Sequence, residues 1–216
     1  MTNRVVSLRL LPPAELLKTG TFDHAGWNYR PLLGAISRAR FNLAVRLLSK
    51  QRVERLLEVG YGSGIFLPEL SRWCKELYGI DPHELSGPVS ETLAALNIDA
   101  QLFSGSATAM PFANGFFDRV VAVSSLEFVE DLDACCVELR RVLKPGGSLV
   151  LVTPGHSPLI DFGLRVLTGE SAKADYGERR HSLISTLLSH FAIERSLKLP
   201  AVGSSLIHLY TGLRLV

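Results

Sequence analysis

From Leu56 to Gly64 the chain reads Leu-Leu-Glu-Val-Gly-Tyr-Gly-Ser-Gly, a short apolar strand running into a turn with glycine at every second position. Glycine has no Cβ, so it accepts positive φ and lets a ligand approach the main chain closely. The apolar spacing of Ile65, Phe66, Leu67 and Leu70 predicts a helix directly after the turn. A strand, such a turn and a helix N-terminus in succession make a nucleotide pocket. The spacing is not that of the dinucleotide fingerprint G-x-G-x-x-G, because its third glycine position holds Ile65. The pattern is G-x-G-x-G, preceded by the acidic Glu58. Glycine turns also serve as plain connections, so the meaning of this one rests on the segments downstream of it.

Residues with strand and helix character alternate along the rest of the chain. Arg55–Val59, Leu77–Ile80, Ala100–Phe103, Asp118–Val123 and Ser148–Thr153 read as five strands. The fourth carries an unbroken apolar run, Val120 to Val123, suited to burial on both faces. Asp133 to Leu143 has helical spacing and stops at the turn signal Lys144-Pro145-Gly146-Gly147. This alternation implies crossover connections and a mostly parallel sheet. In the tail, Leu159–Leu167 and Leu183–Leu188 look helical, and Ile193–Leu199 and Leu206–Leu213 look like two further strands joined through Pro200 and Gly203. A connection that short implies an antiparallel pair, so the sheet ends with one reversed strand. Near the N-terminus, Leu33, Ile36, Ala39, Leu43 and Leu47 predict a helix from about Leu32 to Leu48. The cations around it (Arg38, Arg40, Arg46, Lys50, Arg52 and Arg55) read as a solvated face, with a basic substrate groove as the competing reading.

A length of 216 residues fits one domain over 1–216: a helical segment 1–53, a core 54–153, and a tail 154–216 that completes the sheet. A formal net charge of +2 gives no support to a nucleic-acid or membrane-surface role. Cys74, Cys135 and Cys136 lack C-x-x-C spacing, which argues against a disulfide framework or a metal site and for reduced thiols. The apolar N-terminal run is broken by Arg9 and Pro12-Pro13, and no run approaches the roughly 20 residues that span a bilayer. A soluble, cytoplasmic protein is expected.

Five segments, in order and with normal spacing over residues 54–153, resemble the class I S-adenosylmethionine-dependent methyltransferases. They are Glu58–Gly64; Asp81 at the end of the second strand; Met110-Pro111-Phe112 through Phe116-Phe117-Asp118; Leu126-Glu127-Phe128; and Leu139 through Lys144-Pro145-Gly146-Gly147. The resemblance implies a three-layer α/β/α Rossmann-like methyltransferase fold, with a seven-stranded, mostly parallel sheet and one antiparallel strand near the C-terminus. It also implies S-adenosyl-L-methionine as cofactor and a small-molecule acceptor. The signatures N-P-P-Y and D-P-P-Y and an appended RNA-binding module are missing, so a nucleic-acid partner is not expected.

By the same resemblance the cofactor lies against Glu58, Gly60, Tyr61, Gly62, Asp81, Pro82, Ser106, Ala107 and Ser124. Glu58 is a carboxylate at the end of a buried strand and needs a cation such as the cofactor's amino group, or backbone N–H groups, to offset its burial. Asp81 suits the two ribose hydroxyls, with an Asx-turn before Pro82 as the competing reading. His83 packs on the adenine or stands as an exposed loop histidine. Ser106 departs from the family, where many members have Asp or Glu; a neutral hydroxyl is a weaker acceptor for the adenine amino group. Phe128 departs too, where relatives often carry His. Met110–Phe112 and Arg140–Gly147 are read as structural.

The reaction implied is in-line methyl transfer from a sulfonium. Holding the reacting atoms in line supplies on the order of 7–11 kcal/mol, and a base is needed only when the nucleophile must lose a proton. His156 and Glu127 are the candidate catalytic groups, since turns after the fifth and fourth strands face the ligand rim of such sheets. Trp27-Asn28-Tyr29-Arg30 closes over the cofactor or packs onto the domain, and Gly155–Glu178 reads as a substrate lid. Two other classes stand against this reading: a catalytically degenerate binding or scaffold protein, suggested by Ser106 and Phe128, and an NAD-dependent oxidoreductase, opposed by Ile65.

Overall fold

The computed structural model describes residues 8–20, 23–48, 51–155, 179–200 and 209–216. Seven strands form one sheet: β1 (Val53–Val59), β2 (Cys74–Asp81), β3 (Gln101–Ser104), β4 (Phe117–Val123), β5 (Leu143–Pro154), β6 (Ile193–Leu199) and β7 (Tyr210–Leu215), in the order β3-β2-β1-β4-β5-β7-β6. The first five pair in parallel, and β7 lies antiparallel between β5 and β6. One strand is therefore reversed, as the tail's short connection implied. It is the last strand, and it is inserted inside the penultimate one.

Helices cover both faces because the central strands are apolar on both. Val121, Val123, Val150 and Val152 pack with α1 (Pro31–Leu47), α2 (Leu67–Leu70) and α3 (Ser86–Ala95). Their neighbours Val120, Ala122, Leu149 and Leu151 pack with α4 (Leu132–Val142) and α5 (Arg179–His190). The side-chain period of two sends alternate residues to opposite layers, and the result is the three-layer α/β/α arrangement.

Local outcomes differ from the sequence pattern in three places. The helix expected after the glycine turn is a single turn, α2, extended by a turn of 3-10 helix at Ser71–Trp73. β2 begins at the next residue, so the whole β1–β2 crossover has only 14 residues, 60–73, for its helix. The Lys144–Gly147 turn signal is not a break before β5. It is a bulge inside it: Phe117 pairs with Leu143, Arg119 with Ser148, and Gly146 has φ +77°. The expected strand Leu206–Leu213 is described from Tyr210 onward and runs to Leu215. The helix expected at Leu159–Leu167 lies outside the described residues.

The two motifs read as structural hold each other. Arg141 on α4 donates to the carbonyls of Phe112 (2.6 Å) and Met110 (2.9 Å) and to Asn114 Oδ1 (2.9 Å), while Glu138 accepts from the Met110 N–H (2.7 Å) and grips Arg141. The ring of Phe112 meets Phe103, Tyr78 and Phe117 edge-on.

An N-terminal strap lies against the head of the domain. Leu11 is fully buried and donates its N–H to Ile65 O (3.1 Å). The Arg9 N–H meets the buried Glu69 carboxylate (2.9 Å), which also accepts from Trp73 Nε1 and Arg72. The Tyr29 hydroxyl donates to Leu11 O, and Arg38 donates to Asn28 O. Several of the N-terminal cations therefore act as tethers rather than a solvated face: Arg38 here, Arg52 on Cys74 O (2.6 and 2.8 Å) and Arg55 on Glu76 (3.0 Å).

α1 sits directly on β7 at Gly212, where a Cβ would come within 2.7 Å of Leu47 Cδ1 and 2.9 Å of Leu43 Cγ. Gly212→Ala is expected to push α1 off the sheet and to cost about 1–3 kcal/mol by overpacking. A fall in the urea midpoint at unchanged slope would register it.

Candidate active site

A cavity of about 860 Å³ opens across the carboxyl ends of β1, β2 and β4 and the start of β7, the edge at which open α/β sheets bind ligands. It brings together Glu58, Gly60, Tyr61, Gly62, Asp81, Pro82, Ser106, Ala107 and Ser124, all the residues expected to meet the cofactor.

The glycine turn is fixed by its neighbours. The Gly60 N–H donates to Ile80 O (2.8 Å), the Ser125 hydroxyl donates to Val59 O (2.7 Å), and the Gly62 N–H donates to Asp81 Oδ2 (2.8 Å). Gly60 has φ +79°, and a Cβ there would lie 2.3 Å from the Ser125 Cβ. Its glycine is required by the approach of the β4 turn. Gly62 (φ +50°) borders the cavity, with Thr19 and Asp23 of the strap beyond it.

Glu58 lies at the end of β1, is 3% exposed, and its Oε2 has no hydrogen-bond partner among the described residues. Burial, reinforced by the facing Asp81 carboxylate and opposed by Arg40, raises its pKa to about 8. Asp81 has two local duties. Its Oδ2 holds the Gly62 N–H, and its Oδ1 accepts from the His83 N–H (3.3 Å) as in an Asx-turn. A carboxylate has about four acceptor positions, so capacity toward the cavity is left. The ribose and turn readings of Asp81 are therefore compatible.

His83 is committed. Its Nδ1 accepts from the Leu85 N–H (3.1 Å), so its Nε2 carries the proton and donates to Gly62 O (2.9 Å). It is a clip on the glycine turn, with Tyr61 packed edge-on against it (4.9 Å). Tyr61 is buried under the turn, and burial pushes its hydroxyl pKa up. Its ring supports the cradle while its residue lines the cavity. The Ser106 hydroxyl is engaged by Thr108, through the N–H (3.1 Å) and Oγ1 (2.8 Å). Ser124 takes φ +54°, rare without glycine, and its hydroxyl is buried and unpartnered among the described residues.

The two candidate catalytic groups fare differently. Glu127 lies in the 3-10 turn Leu126–Phe128, is 1% exposed, and is not among the residues lining the cavity, whereas Phe128, Val129 and Glu130 are. Glu127 is buried together with Leu126 while Phe128 reaches the cavity, so the Glu127 side chain does not border it. His156 and the lid expected to follow it lie outside the described residues; Gly155 lines the cavity.

Arg40 is a cavity-lining residue that its sequence surroundings assign to a solvated face. It lines the cavity from α1, its Nε is buried without a partner among the described residues, and its field lowers the Glu58 pKa. The signal in the sequence is its register: Leu33, Ile36, Ser37 and Arg40 share one helix stripe, and all four line the cavity. The Trp27–Arg30 segment divides by residue. Trp27 lines the cavity, Asn28 is fully buried, and Tyr29 is pinned to Leu11.

Residues 57–151 match a family model described as a methyltransferase domain. The biotin biosynthesis bifunctional protein BioHC of Saccharophagus degradans is 30% identical over 52% of this chain and 20% of its own length. A demethylmenaquinone methyltransferase of Roseiflexus castenholzii is 30% identical over 55% of this chain and 51% of its own. The chain thus spans about half or less of these relatives. A SAM-dependent methyltransferase from Aquifex aeolicus superposes with a TM-score of 0.65 at 18% identity, covering 90% of this chain and 98% of that one, which establishes a shared fold.

The Glu58 pKa has a consequence for stability. In the unfolded chain the group titrates near 4.5, and in the folded protein near 8. Between these values unfolding releases a proton, so stability falls as pH rises, and above about 8 the full penalty, on the order of a few kcal/mol, is in force. Glu58→Gln is expected to match the parent's melting temperature at pH 5 and to exceed it at pH 8. Parallel melting curves at the two pH values would refute this placement of the charge.

Proposed function

With a methyltransferase domain of the class I S-adenosylmethionine-dependent family at its centre, this chain is one for which we propose methyl transfer from S-adenosyl-L-methionine to a small-molecule acceptor. The observation that carries this reading is the buried carboxyl of Glu58, whose Oε2 has no partner among the described residues, beside Asp81 and opposite the half-buried Arg40, at one end of a glycine-lined cavity.

The residues present fit the cofactor. Glu58 accepts from the ammonium of its amino-acid end, and the desolvation that holds the carboxyl neutral is offset once a cation arrives. Arg40, on the facing helix, takes the carboxylate of the same end. Asp81 uses its remaining lone pairs for the ribose hydroxyls, and Gly62 leaves the main chain open beneath them. With the Ser106 hydroxyl held by Thr108, the main chain at Ala107 is left to meet the adenine. When bound, the sulfonium supplies an activated methyl whose departure leaves a neutral thioether. The protein's part is orientation and exclusion of water by the strap, rather than stabilisation of a leaving-group charge.

The named activities of the relatives, on a menaquinone precursor and in biotin biosynthesis, support a small-molecule acceptor for this chain. Among the described residues no helix is long and apolar enough to cross a membrane, and the three cysteines are buried free thiols, which supports a cytoplasmic setting.

Calorimetric titration with S-adenosylhomocysteine is expected to give saturable binding, with none for NAD. Asp81→Ala and Arg40→Ala should each weaken it by about tenfold or more, the effect of removing a hydrogen bond to a charged group. Unchanged affinity in both variants would overturn the assignment. His156, one residue beyond the cavity-lining Gly155, is the base proposed for a hydroxyl acceptor. His156→Ala is expected to lower kcat while leaving S-adenosylhomocysteine affinity intact, and equal turnover in variant and parent would remove that role.

A further inference from the structure

The cavity has two chemically distinct halves. The turns after β1, β2 and β3 supply glycines, carboxylates and hydroxyls: Gly60–Ser63, Asp81–His83 and Gly105–Thr108. The turns after β4 and β5, the start of β7 and α1 add the rings and aliphatic chains of Phe128, Val129, Tyr210, Leu33 and Ile36, among shorter polar and acidic side chains and Arg40. Because β4, β5 and β7 are consecutive in the sheet and α1 packs on β5 and β7, these residues form one continuous wall.

We infer that this second half binds a planar, uncharged ring system as the methyl acceptor; the inference rests on the assignment of the first half to the cofactor. Trp27 of the strap lines the cavity, with His24 stacked on its indole at 4.2 Å and 18° between planes. Phe128 enters from the β4 turn and Tyr210 from β7, and Leu33 and Ile36 close the wall from α1. The floor is made of small residues, Ser124, Ser125 and Gly155, which leave room for a flat molecule edge-on to the strand ends. Stacking and edge-to-face contacts with such rings reward an aromatic guest over a saturated one of equal area.

Charge points the same way. Arg40 faces Glu58, and the lining Asp131 is spent on capping α4, where Oδ1 accepts from the Ala134 N–H (3.0 Å). Glu130 stands exposed at the rim. Apart from Arg40, the lining offers no arginine or lysine among the described residues for a carboxylate or phosphate, and the His24 ring lies flat against Trp27. This residue set takes a phenol, an enol or a conjugated carbon nucleophile in preference to an anionic aliphatic acid.

The test is calorimetry with 2-naphthol, its saturated counterpart 2-decalol and the anionic 2-naphthoate, each measured with and without S-adenosylhomocysteine. 2-Naphthol is expected to bind saturably and roughly tenfold tighter than 2-decalol, the size of an aromatic pair's preference. It should also bind more tightly than 2-naphthoate. Trp27→Ala and Phe128→Ala should each lower its affinity several-fold, and Trp27→Phe should restore most of it, with melting temperatures confirming that each variant folds. Absence of 2-naphthol binding, equal binding of 2-decalol, a preference for 2-naphthoate, or indifference to Trp27→Ala in a folded variant would overturn the inference. The two readings fail separately. Binding of S-adenosylhomocysteine without ring selectivity sinks this one alone, and ring selectivity without S-adenosylhomocysteine binding sinks the cofactor assignment.

Discussion

Strands buried on both faces leave a protein only their ends for polar chemistry, and that constraint organises this molecule. Within β4 and β5 consecutive residues from Val120 to Val123 and from Leu149 to Val152 are enclosed by helices on one side or the other. An ionisable group inside them would go without a partner. Glu58 sits one residue from the end of β1, Asp81 is the last residue of β2, and Ser124 follows the last residue of β4. Parallel pairing brings these ends to the same edge. The site lies at one of the places where the sheet's central strands meet solvent.

At that edge the charges are arranged for a guest. A charged Glu58 would be desolvated and would face Asp81 with Arg40 offsetting it only in part, so the protein alone holds this carboxyl toward its neutral form. Natural sequences accept such local conflict at functional sites. The cradle beneath is held without flexibility: Ser125 on Val59, Asp81 on Gly62 and His83 on Gly62 close a ring of bonds around the glycine turn. Specificity is built elsewhere, on the strap and on the turns after β4 and β5, in keeping with the way one fold serves many chemistries.

Much of this is legible in the amino-acid order. The core strands announce themselves by apolar runs bounded by turn residues, and the glycine turn, Asp81 and Lys144–Gly147 carry a family pattern in register. The features that escape a sequence reading are long-range. Arg40 looks like any helix-surface arginine until α1 is docked on β7, where its stripe turns to the cavity. Glu127 turns away from the rim expected of it while Phe128 lines the cavity, because a 3-10 turn rotates each residue by about 120°, which a reading by motif position does not register. The short α2 reflects chain length between strands rather than propensity, since residues 65–70 are patterned for a longer helix. His83 reads as a loop histidine in sequence, and only the proximity of Gly62 and Leu85 turns it into a clip.

The interleaving of the last two strands has a bearing on how the chain is made. β6 leaves the ribosome before β7, yet its backbone pairs only with β7, which in turn bonds to β5. Until β7 emerges, β6 has nothing to bond to among the described strands, and the free side of β5 stays open. The nascent chain thus passes through a stage with two bare edges, the condition that invites sticking between neighbours. The charges of Glu194, Arg195 and Lys198 along β6 keep that interval from being adhesive. Emergence of β7 then lets the two strands zip together and dock as a unit on β5, and Tyr210 comes to the cavity wall with them.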